Sequence, residues 1–424
     1  MTARITHVAP SRASVDEQPL TSIDVALAHV AAAALRDTPD VGRVGLELEL
    51  HLVDLRLPAR RPDWAQVQGL IDGLDTMPAG SSITAEPGGQ LELSTPPAAT
   101  LSEAVQALRR DRDALRVALA GAGFGGAALG ADPARPVDVV NRGGRYGAMQ
   151  QHFASLGCSG PGRAMMASTA ALQVNLDAGP SAQWQQRVEH LHRIGPVLIA
   201  MSACSPMLAR HRSGWRSMRQ QAWGGIDAGR VARFGTGPAV EAWAEYALAA
   251  PVMLVRDHVS GESDPVPSRV PFASWITGAA KLVRRPTLRD LDYHLTTLFP
   301  PVRPRGYLEL RYLDAVPDRW WPALAAITTV LGDDAAAADA VDAACEPVAD
   351  AWIAAARDGL ATPLMHDAAR ACARIAVERA PADLRADVEG YAELIEQGRT
   401  PGDEVSDRIT LRGPLAVLEE DARA

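Results

Sequence analysis

Apolar and polar residues alternate in four short segments of the chain. The segments are 45–50 (GLELEL), 90–94 (QLELS), 172–177 (LQVNLD) and 307–312 (YLELRY). Successive side chains of a β-strand point to opposite faces, so each segment predicts a strand that buries its apolar residues and presents polar ones on the other side. Together they predict a sheet with one apolar face and one polar face.

The polar positions of these segments predict a cluster of acids. If the strands lie in one sheet, four carboxylates converge on its polar face with little positive charge opposite them: Glu47, Glu49, Glu92 and Glu309. Such carboxylates repel one another unless cations bind between them, and their oxygens suit Mg²⁺ or Mn²⁺. The alternative is a solvent-facing sheet surface, which shows the same alternation. A single strand does not separate these interpretations, whereas the four strands together favour a metal site.

The remaining pattern predicts mainly helices. A capping box at Thr100 and Glu103 begins a helix that ends near residue 120. Two short strands surround a turn at 86–89, and residues 57–82 predict a long connection rich in proline and glycine. Further helices are predicted at 22–36, 182–208, 239–249 and 287–297, and about four more after residue 320, separated by Pro363 and Pro381.

The order of these elements predicts an α+β fold, in which helices cover one side of an antiparallel sheet. Three parts of the chain are expected. Residues 1–18 form a flexible tail, residues 19–332 hold all the predicted strands, and residues 333–424 form a helical C-terminal extension.

Composition and charge narrow the class of protein. The chain has 424 residues and a formal net charge of -9, which argues against nucleic acid or an anionic membrane as a partner. The first twenty residues contain no apolar segment of the secretory type, and the longest apolar run, 25–35, is too short to span a bilayer. The four cysteines are scattered, as is typical of free thiols in a reducing compartment. We therefore expect a cytoplasmic protein of enzyme size.

Several other kinds of site are disfavoured by the sequence. Lys281 is the only lysine, so the chain has no phosphate-binding loop of the Gly-x-x-x-x-Gly-Lys type. Residues 121–126 (GAGFGG) match G-x-G-x-x-G but follow a predicted helix, whereas a dinucleotide site needs a preceding strand; we interpret them as a helix C-cap and turn. The histidines near Cys204 lack the spacing of a zinc site.

Seven motifs together carry a resemblance to a known family. They are GLELE at 45–49, TAEPGGQLELS at 84–94, GRY at 144–146, MM at 165–166 followed by LQVNLD at 172–177, SMR at 217–219, HLTTLFP at 294–300 and YLELR at 307–311. In order and approximate spacing, these motifs resemble the plant-type glutamate–cysteine ligase family. The resemblance covers about residues 42–332 and leaves the C-terminal helices outside. The arginine-rich chain is most similar to the actinobacterial branch that serves ergothioneine biosynthesis.

The resemblance implies a fold and a reaction. The family has a glutamine-synthetase-like catalytic domain, here expected at 19–332, whose curved antiparallel sheet holds Mg²⁺ and ATP on its polar face. The γ-carboxylate of glutamate attacks the γ-phosphorus of ATP, and the amine of cysteine then displaces phosphate from γ-glutamyl phosphate. Both partners of the first step are anions, so positioning and neutralisation of charge dominate catalysis. Small-molecule substrates are the expected partners.

The resemblance also implies roles for individual residues. Arg311 would stabilise the transferring phosphoryl group beside Glu309, and Gln173 and Asn175 would face ATP or metal. The implied metal ligands are Glu47, Glu49, Glu86, Glu92 and Glu309. The implied substrate-binding residues are Arg145, Tyr146, Arg219, which would bind the α-carboxylate of glutamate, and Tyr246, which would belong to the cysteine pocket.

Two alternatives to a glutamate–cysteine ligase stay open. A related ligase that joins glutamate to a different amine would share the same metal residues. A catalytically silent relative that only binds metal or nucleotide is also conceivable, but an unused acidic cluster would cost stability through repulsion. The regulatory cysteines of the plant enzymes are not visible in this chain, so redox control is not expected.

Overall fold

A single open sheet organises the structure, a computed structural model that describes residues 18–424. The strands in chain order are β1 (Val44–Asp54), β2 (Ser82–Ala85), β3 (Leu91–Ser94), β4 (Phe124–Ala127), β5 (Ala171–Leu176), β6 (Leu254–Arg256), β7 (Ser263–Pro265), β8 (Val302–Pro304) and β9 (Leu308–Asp314). Seven of them form an antiparallel sheet of order β2-β3-β1-β5-β9-β8, with β4 paired to the end of β1, and β6 pairs with β7 in a separate hairpin. The predicted tail lies outside the described residues except for Gln18.

The register of the sheet confirms the alternation predicted from the sequence. The four alternating segments form β1, β3, β5 and β9. Glu49 lies opposite Glu92, and Glu47 lies opposite Gln173. The intervening leucines of β1 are fully buried. The acids and amides therefore share one face of the sheet.

Helices surround this sheet and make up most of the remaining structure. Those before β8 are α1 (Ile23–Ala34), α2 (Trp64–Asp72), α3 (Leu101–Ala122), α4 (Gly144–Ser155), α5 (Ser159–Ser168), α6 (Trp184–Arg193), α7 (Gly195–Ser202), α8 (Met218–Gly224), α9 (Ala228–Val231), α10 (Ala239–Ala249), α11 (Phe272–Thr277) and α12 (Leu288–Leu295). Those after β9 are α13 (Trp321–Asp333), α14 (Ala338–Cys345), α15 (Trp352–Asp358), α16 (Pro363–Arg379), α17 (Arg385–Glu396), α18 (Pro401–Arg412) and α19 (Pro414–Arg423). Helices α3, α7 and α13 pack against the apolar face, which confirms the α+β class.

Local capping explains where the structure departs from the predicted helices. The helix predicted at 182–208 is two helices, because Pro196 begins α7 as its first-turn proline. Helix α2 lies inside the predicted long connection, where Asp63 and Gln66 form a capping box. The C-terminal part holds seven α-helices instead of about four. Gly123, with φ 84°, ends α3 directly before β4, so residues 121–126 are the helix end and turn that the sequence predicted.

The C-terminal helices pack into the same core as the sheet. One hydrophobic cluster runs from Leu20 to Ala422. Asp421 in α19 accepts a hydrogen bond from the backbone N–H of Ala128 at 3.0 Å, next to β4. The proposed boundary at 332/333 falls at the end of α13 and remains a prediction. No helix between residues 18 and 424 has the length and apolarity needed to cross a bilayer.

The contact between β4 and α19 generates a stability prediction. A Cβ at Gly125 would lie 2.2 Å from the carbonyl oxygen of Ala422, so we expect Gly125→Ala to lower the free energy of unfolding by about 1–3 kcal/mol. The matched control is Gly121→Ala in α3, where no atom lies within 4 Å of the added Cβ; it should be neutral or stabilise by up to about 1 kcal/mol. Urea denaturation of both variants checks this, and equal stabilities would contradict it.

Candidate active site

The polar face of the sheet forms the floor of a cleft of about 250 Å³. Its walls come from α4, α5 and α8 and from the segment before β8. The cleft brings together most of the predicted site residues: Glu47, Glu49, Glu86, Glu92, Arg145, Tyr146, Gln173, Glu309 and Arg311. Asn175 adjoins it, and its Nδ2 donates to Glu47 Oε1 at 2.8 Å.

Burial and mutual repulsion perturb the acids of the cleft. Burial raises the pKa of Glu92 to about 7, and the neighbouring carboxylate of Glu47 adds to the shift. Burial likewise raises the pKa of Glu49 to about 7, with a smaller contribution from repulsion by Glu86. Burial raises the pKa of Glu86 to about 7 as well, with a smaller contribution from repulsion by Glu92. The pKa of Glu47 is raised by burial and by Glu309. At neutral pH the metal-free cluster therefore retains protons that a bound cation would displace.

Gln173 connects this cluster to Arg311. Its Oε1 accepts a hydrogen bond from Arg311 Nη1 at 2.7 Å, and its Nε2 donates to Glu49 Oε1 at 3.2 Å and to Glu92 Oε2 at 3.4 Å. One amide thus joins a guanidinium to two carboxylates from different strands. The side chain of Arg311 is also fixed by Glu309 Oε2, which lies 3.2 Å from Nη1.

Glu309 shares the cleft with the other acids and is surrounded by arginines. Arg303 donates to both of its carboxylate oxygens, with Nη2 at 2.8 Å from Oε1. Burial of Glu309 would raise its pKa, but Arg311 and Arg303 outweigh burial and lower the pKa to about 2. Each carboxylate oxygen accepts one hydrogen bond from Arg303 and keeps a lone pair, so the role of Glu309 as a metal ligand stays a prediction. The geometry supports a role for Glu309 in orienting Arg311.

The acids of the cleft could hold a Mg²⁺ ion together with phosphate oxygens of a ligand. Among residues 18–424, no three acid, histidine or cysteine side chains are grouped so that they could hold a metal ion on their own. Mg²⁺ usually takes one or two carboxylates and completes its shell with water and phosphate oxygens, so a preformed cage is not required. Glu47, Glu49, Glu86 and Glu92 supply the carboxylates. The buried Oδ1 of Asn175 is a further acceptor without a protein partner.

The predicted substrate-binding residues lie in different parts of the structure. Arg145 lines the cleft, where its guanidinium is held by Thr296 and lies 5.0 Å from the ring centre of Tyr293. Tyr146 lines the cleft beside Glu86, and burial raises its pKa. Tyr246 does not line the cleft. It stacks on Trp243 in α10, with ring centres 5.6 Å apart, and its place in the cysteine pocket stays a prediction.

Arg219 lies in a second cavity behind Arg311. This chamber of about 740 Å³ shares Trp223, Phe299 and Arg311 with the cleft, so the two are adjacent. Arg219 is 3% exposed; its Nη2 donates to the carbonyl of Arg311 at 2.7 Å, whereas Nε and Nη1 have no hydrogen-bond partner. Nη1 also lies 3.9 Å from the buried Asp314 Oδ1, beyond hydrogen-bond distance, so these donors could still bind a ligand carboxylate.

Three residues that border the site were missed by the sequence analysis. Arg303 lies opposite Glu309 in the β8–β9 hairpin. The local sign of this hairpin in the sequence is Gly306, whose φ of 80° in the turn favours glycine. Trp223 and Phe299 pack edge to face at 5.3 Å, and each lies under the guanidinium of Arg311. Their positions follow from packing between distant segments, for which the sequence has no local signal.

Comparison with known proteins gives the family. A model described as glutamate–cysteine ligase family 2 matches residues 43–421. The chain belongs to this family. It is 49% identical over 408 residues to "Glutamate--cysteine ligase EgtA" of Mycolicibacterium smegmatis, with 95% of each chain covered. The EgtA of Mycobacterium tuberculosis H37Rv is 46% identical over 406 residues, with 95% of this chain and 94% of the relative covered.

More distant relatives agree with this placement. A chloroplastic glutamate–cysteine ligase of Nicotiana tabacum is 27% identical over 387 residues, with 82% of this chain and 69% of the relative covered. The crystal structure of glutamate–cysteine ligase from Francisella tularensis in complex with AMP has a TM-score of 0.54 at 13% identity, covering 92% of this chain and 89% of that one. This similarity shows a shared fold. The resemblance predicted from the motifs is confirmed, but the family match extends through the C-terminal helices that the motifs had left outside.

The raised pKa values of the cleft generate a prediction on pH. An acid whose pKa rises on folding binds more protons in the folded state, so stability falls as pH rises from about 4.5 to about 7. We expect the metal-free protein to lose about 1–3 kcal/mol over this range through these groups. Glu92→Gln should reduce the loss, whereas Glu245→Gln, at an exposed position of α10, should not.

Chemical denaturation at several pH values with a chelator present measures this effect. Added Mg²⁺ with ATP should restore stability near pH 7 in the wild type more than in Glu92→Gln. Identical pH profiles for the wild type and Glu92→Gln would mean that Glu92 behaves as an ordinary surface acid.

Proposed function

We propose that the protein is an ATP-dependent glutamate–cysteine ligase that forms γ-glutamylcysteine through γ-glutamyl phosphate. The observation that carries this proposal is the position of Arg311, which borders both the acidic cleft and the chamber that holds Arg219. A phosphoryl group transferred from a nucleotide in the cleft to a carboxylate in the chamber would pass beside this guanidinium. Membership of glutamate–cysteine ligase family 2 supports the same reaction.

The acidic cleft is the proposed site for the ATP phosphates. Glu47, Glu49, Glu86 and Glu92 would hold Mg²⁺, or Mn²⁺ in its place, with Asn175 close by. The metal, when bound, neutralises phosphate charge and orients the phosphate chain. Gln173 keeps Arg311 at a fixed position relative to two of these acids.

The chamber is the proposed site for glutamate. The free donors of Arg219 would bind its α-carboxylate, which leaves the γ-carboxylate to reach Arg311. A γ-carboxylate oxygen forms a bond to the γ-phosphorus of ATP, and ADP leaves. The amine of the acceptor then bonds to the δ-carbon of glutamyl phosphate, phosphate departs with the electrons of the C–O bond, and the amine loses a proton.

The proposed role of Glu309 is to orient the guanidinium of Arg311. Its carboxylate, ionised by three arginines, lies between Arg303 and Arg311 and directs Nη1 toward the cleft. Fixed donors aimed at developing charge are among the largest contributions to catalysis. This arrangement supports phosphoryl transfer more than simple nucleotide binding.

The proposal also covers the pathway and the cellular compartment of the enzyme. The similarity to proteins named EgtA supports a role in ergothioneine biosynthesis, as the motif resemblance implied. A cytoplasmic location is inferred because the substrates are ATP and thiol cysteine. The four cysteines of the chain are free thiols in the structure, which agrees with a reducing compartment.

A product assay tests the proposed reaction. With Mg²⁺ present, ADP formation should require glutamate and should be fastest when cysteine is added, with γ-glutamylcysteine as the product. A panel of other amines identifies a related ligase if one of them outperforms cysteine. Equal ATP turnover with and without glutamate would contradict the ligase reaction.

Substitution of the arginine and its partner tests the assigned roles. We expect Arg311→Ala and Glu309→Gln each to lower turnover by about 100-fold or more, because both act on charge in the transition state. Arg374→Ala is a matched control, since its side chain is 60% exposed and pairs with Glu396 far from the cleft. Near-normal turnover of a folded Arg311→Ala protein would remove Arg311 from the mechanism.

A further inference from the structure

The chamber behind Arg311 has a smaller share of acidic side chains than the cleft. Within the described chain, its charged lining residues are three arginines and one aspartate: Arg219, Arg233, Arg311 and Asp350. The cleft in contrast is lined by five glutamates and four arginines. An anionic amino acid is therefore favoured in the chamber, and a cation with phosphates is favoured in the cleft.

Arg233 lies on the wall of the same chamber as Arg219. Its guanidinium stacks over the ring of Trp352 in α15, 5.4 Å from the ring centre, and Nη2 lies 3.1 Å from Asp350 Oδ1. The side chain of Asp350 is 92% exposed, so solvent competes for this ion pair and it holds Arg233 only weakly. Arg233 is thus preorganised by the aromatic ring and remains available to a carboxylate.

The rest of this wall is apolar. Trp352, Ile353, Ala354 and Ala356 of the C-terminal region line it, and Ile353 is 67% exposed. An exposed isoleucine beside a tryptophan offers contact to a small apolar or sulfur-containing side chain. No other assignment in the proposed mechanism uses these residues.

The volume of the chamber leaves room for a second amino acid. Cavities of about 300–1,000 Å³ commonly hold drug-sized ligands, and the 740 Å³ chamber lies in that range, so glutamate alone does not fill it. The acceptor amine must reach the δ-carbon of glutamyl phosphate near Arg311. An approach through the cleft would bring the acceptor's carboxylate against the glutamates, whereas an approach through the chamber brings it to Arg233.

We propose that Arg233, stacked on Trp352, binds the α-carboxylate of the acceptor amino acid, and that Ile353 contacts its side chain. This inference rests on the proposed ligase reaction and specifies its acceptor site. It gives the C-terminal helix α15 a direct part in the choice of acceptor. It also places the acceptor in the chamber instead of beside Tyr246.

The test compares cysteine with cysteamine, which has the same amine and thiol but no carboxylate. We expect Arg233→Ala to raise the KM for cysteine about tenfold or more, the effect of one lost charge-assisted contact. The KM for cysteamine should change less than twofold, and the KM for glutamate and ATP should likewise stay close to the wild-type value. Arg233→Lys should recover part of the lost affinity for cysteine, because it keeps the positive charge. A defect in folding alone would not be corrected by restoring the charge.

The controls distinguish a failure of the acceptor-site proposal from a failure of the proposed ligase reaction. Arg374→Ala removes an exposed arginine far from the chamber and should leave all KM values unchanged. A wild-type protein that forms no ADP in response to glutamate would contradict the ligase reaction itself. An active wild type with an unchanged KM for cysteine in Arg233→Ala, or with equal losses for cysteine and cysteamine, would overturn only the acceptor site. Thermal melts confirm that each variant is folded.

Discussion

The register of β1 against its two neighbours is the constraint on which the site depends. It sets Glu49 opposite Glu92 and Glu47 opposite Gln173, so like charges lie side by side in a partly buried cleft. That repulsion is reduced by retained protons, by the amides of Gln173 and Asn175, and by Arg311. In the proposed mechanism a metal ion would replace the retained protons and neutralise the same carboxylates.

Arg311 lies between the acidic cleft and the chamber that contains Arg219, and it lines both. Glu309 and Gln173 fix its guanidinium from two sides, and Trp223 and Phe299 pack against it. A low-dielectric wall of this kind strengthens the field of a single fixed cation. In the proposed mechanism the same wall would separate the phosphates from the amino acids, so the same residues would provide both positioning and electrostatics.

The C-terminal helices pack against the sheet and line the chamber beside Arg311. Helix α19 packs against β4 through Gly125 and Ala422, and α15 forms one wall of the chamber through Trp352. These contacts give a physical reason for a family match that extends to residue 421. Removal of these helices would expose both the edge of the sheet and the amino-acid side of the site.

The sequence by itself determined the strands β1, β2, β3, β5 and β9 and the polar face that the alternating segments present. Alternation is a local property, so Glu47, Glu49, Glu92, Gln173 and Arg311 could be predicted to share one face of a sheet. Tertiary structure decided their partners: Glu309 shares the cleft but binds Arg303, and Tyr246 stacks on Trp243 outside the cleft lining. The chamber with Arg219 and Arg233 was also beyond the sequence, because a cavity arises only where segments distant along the chain pack against one another.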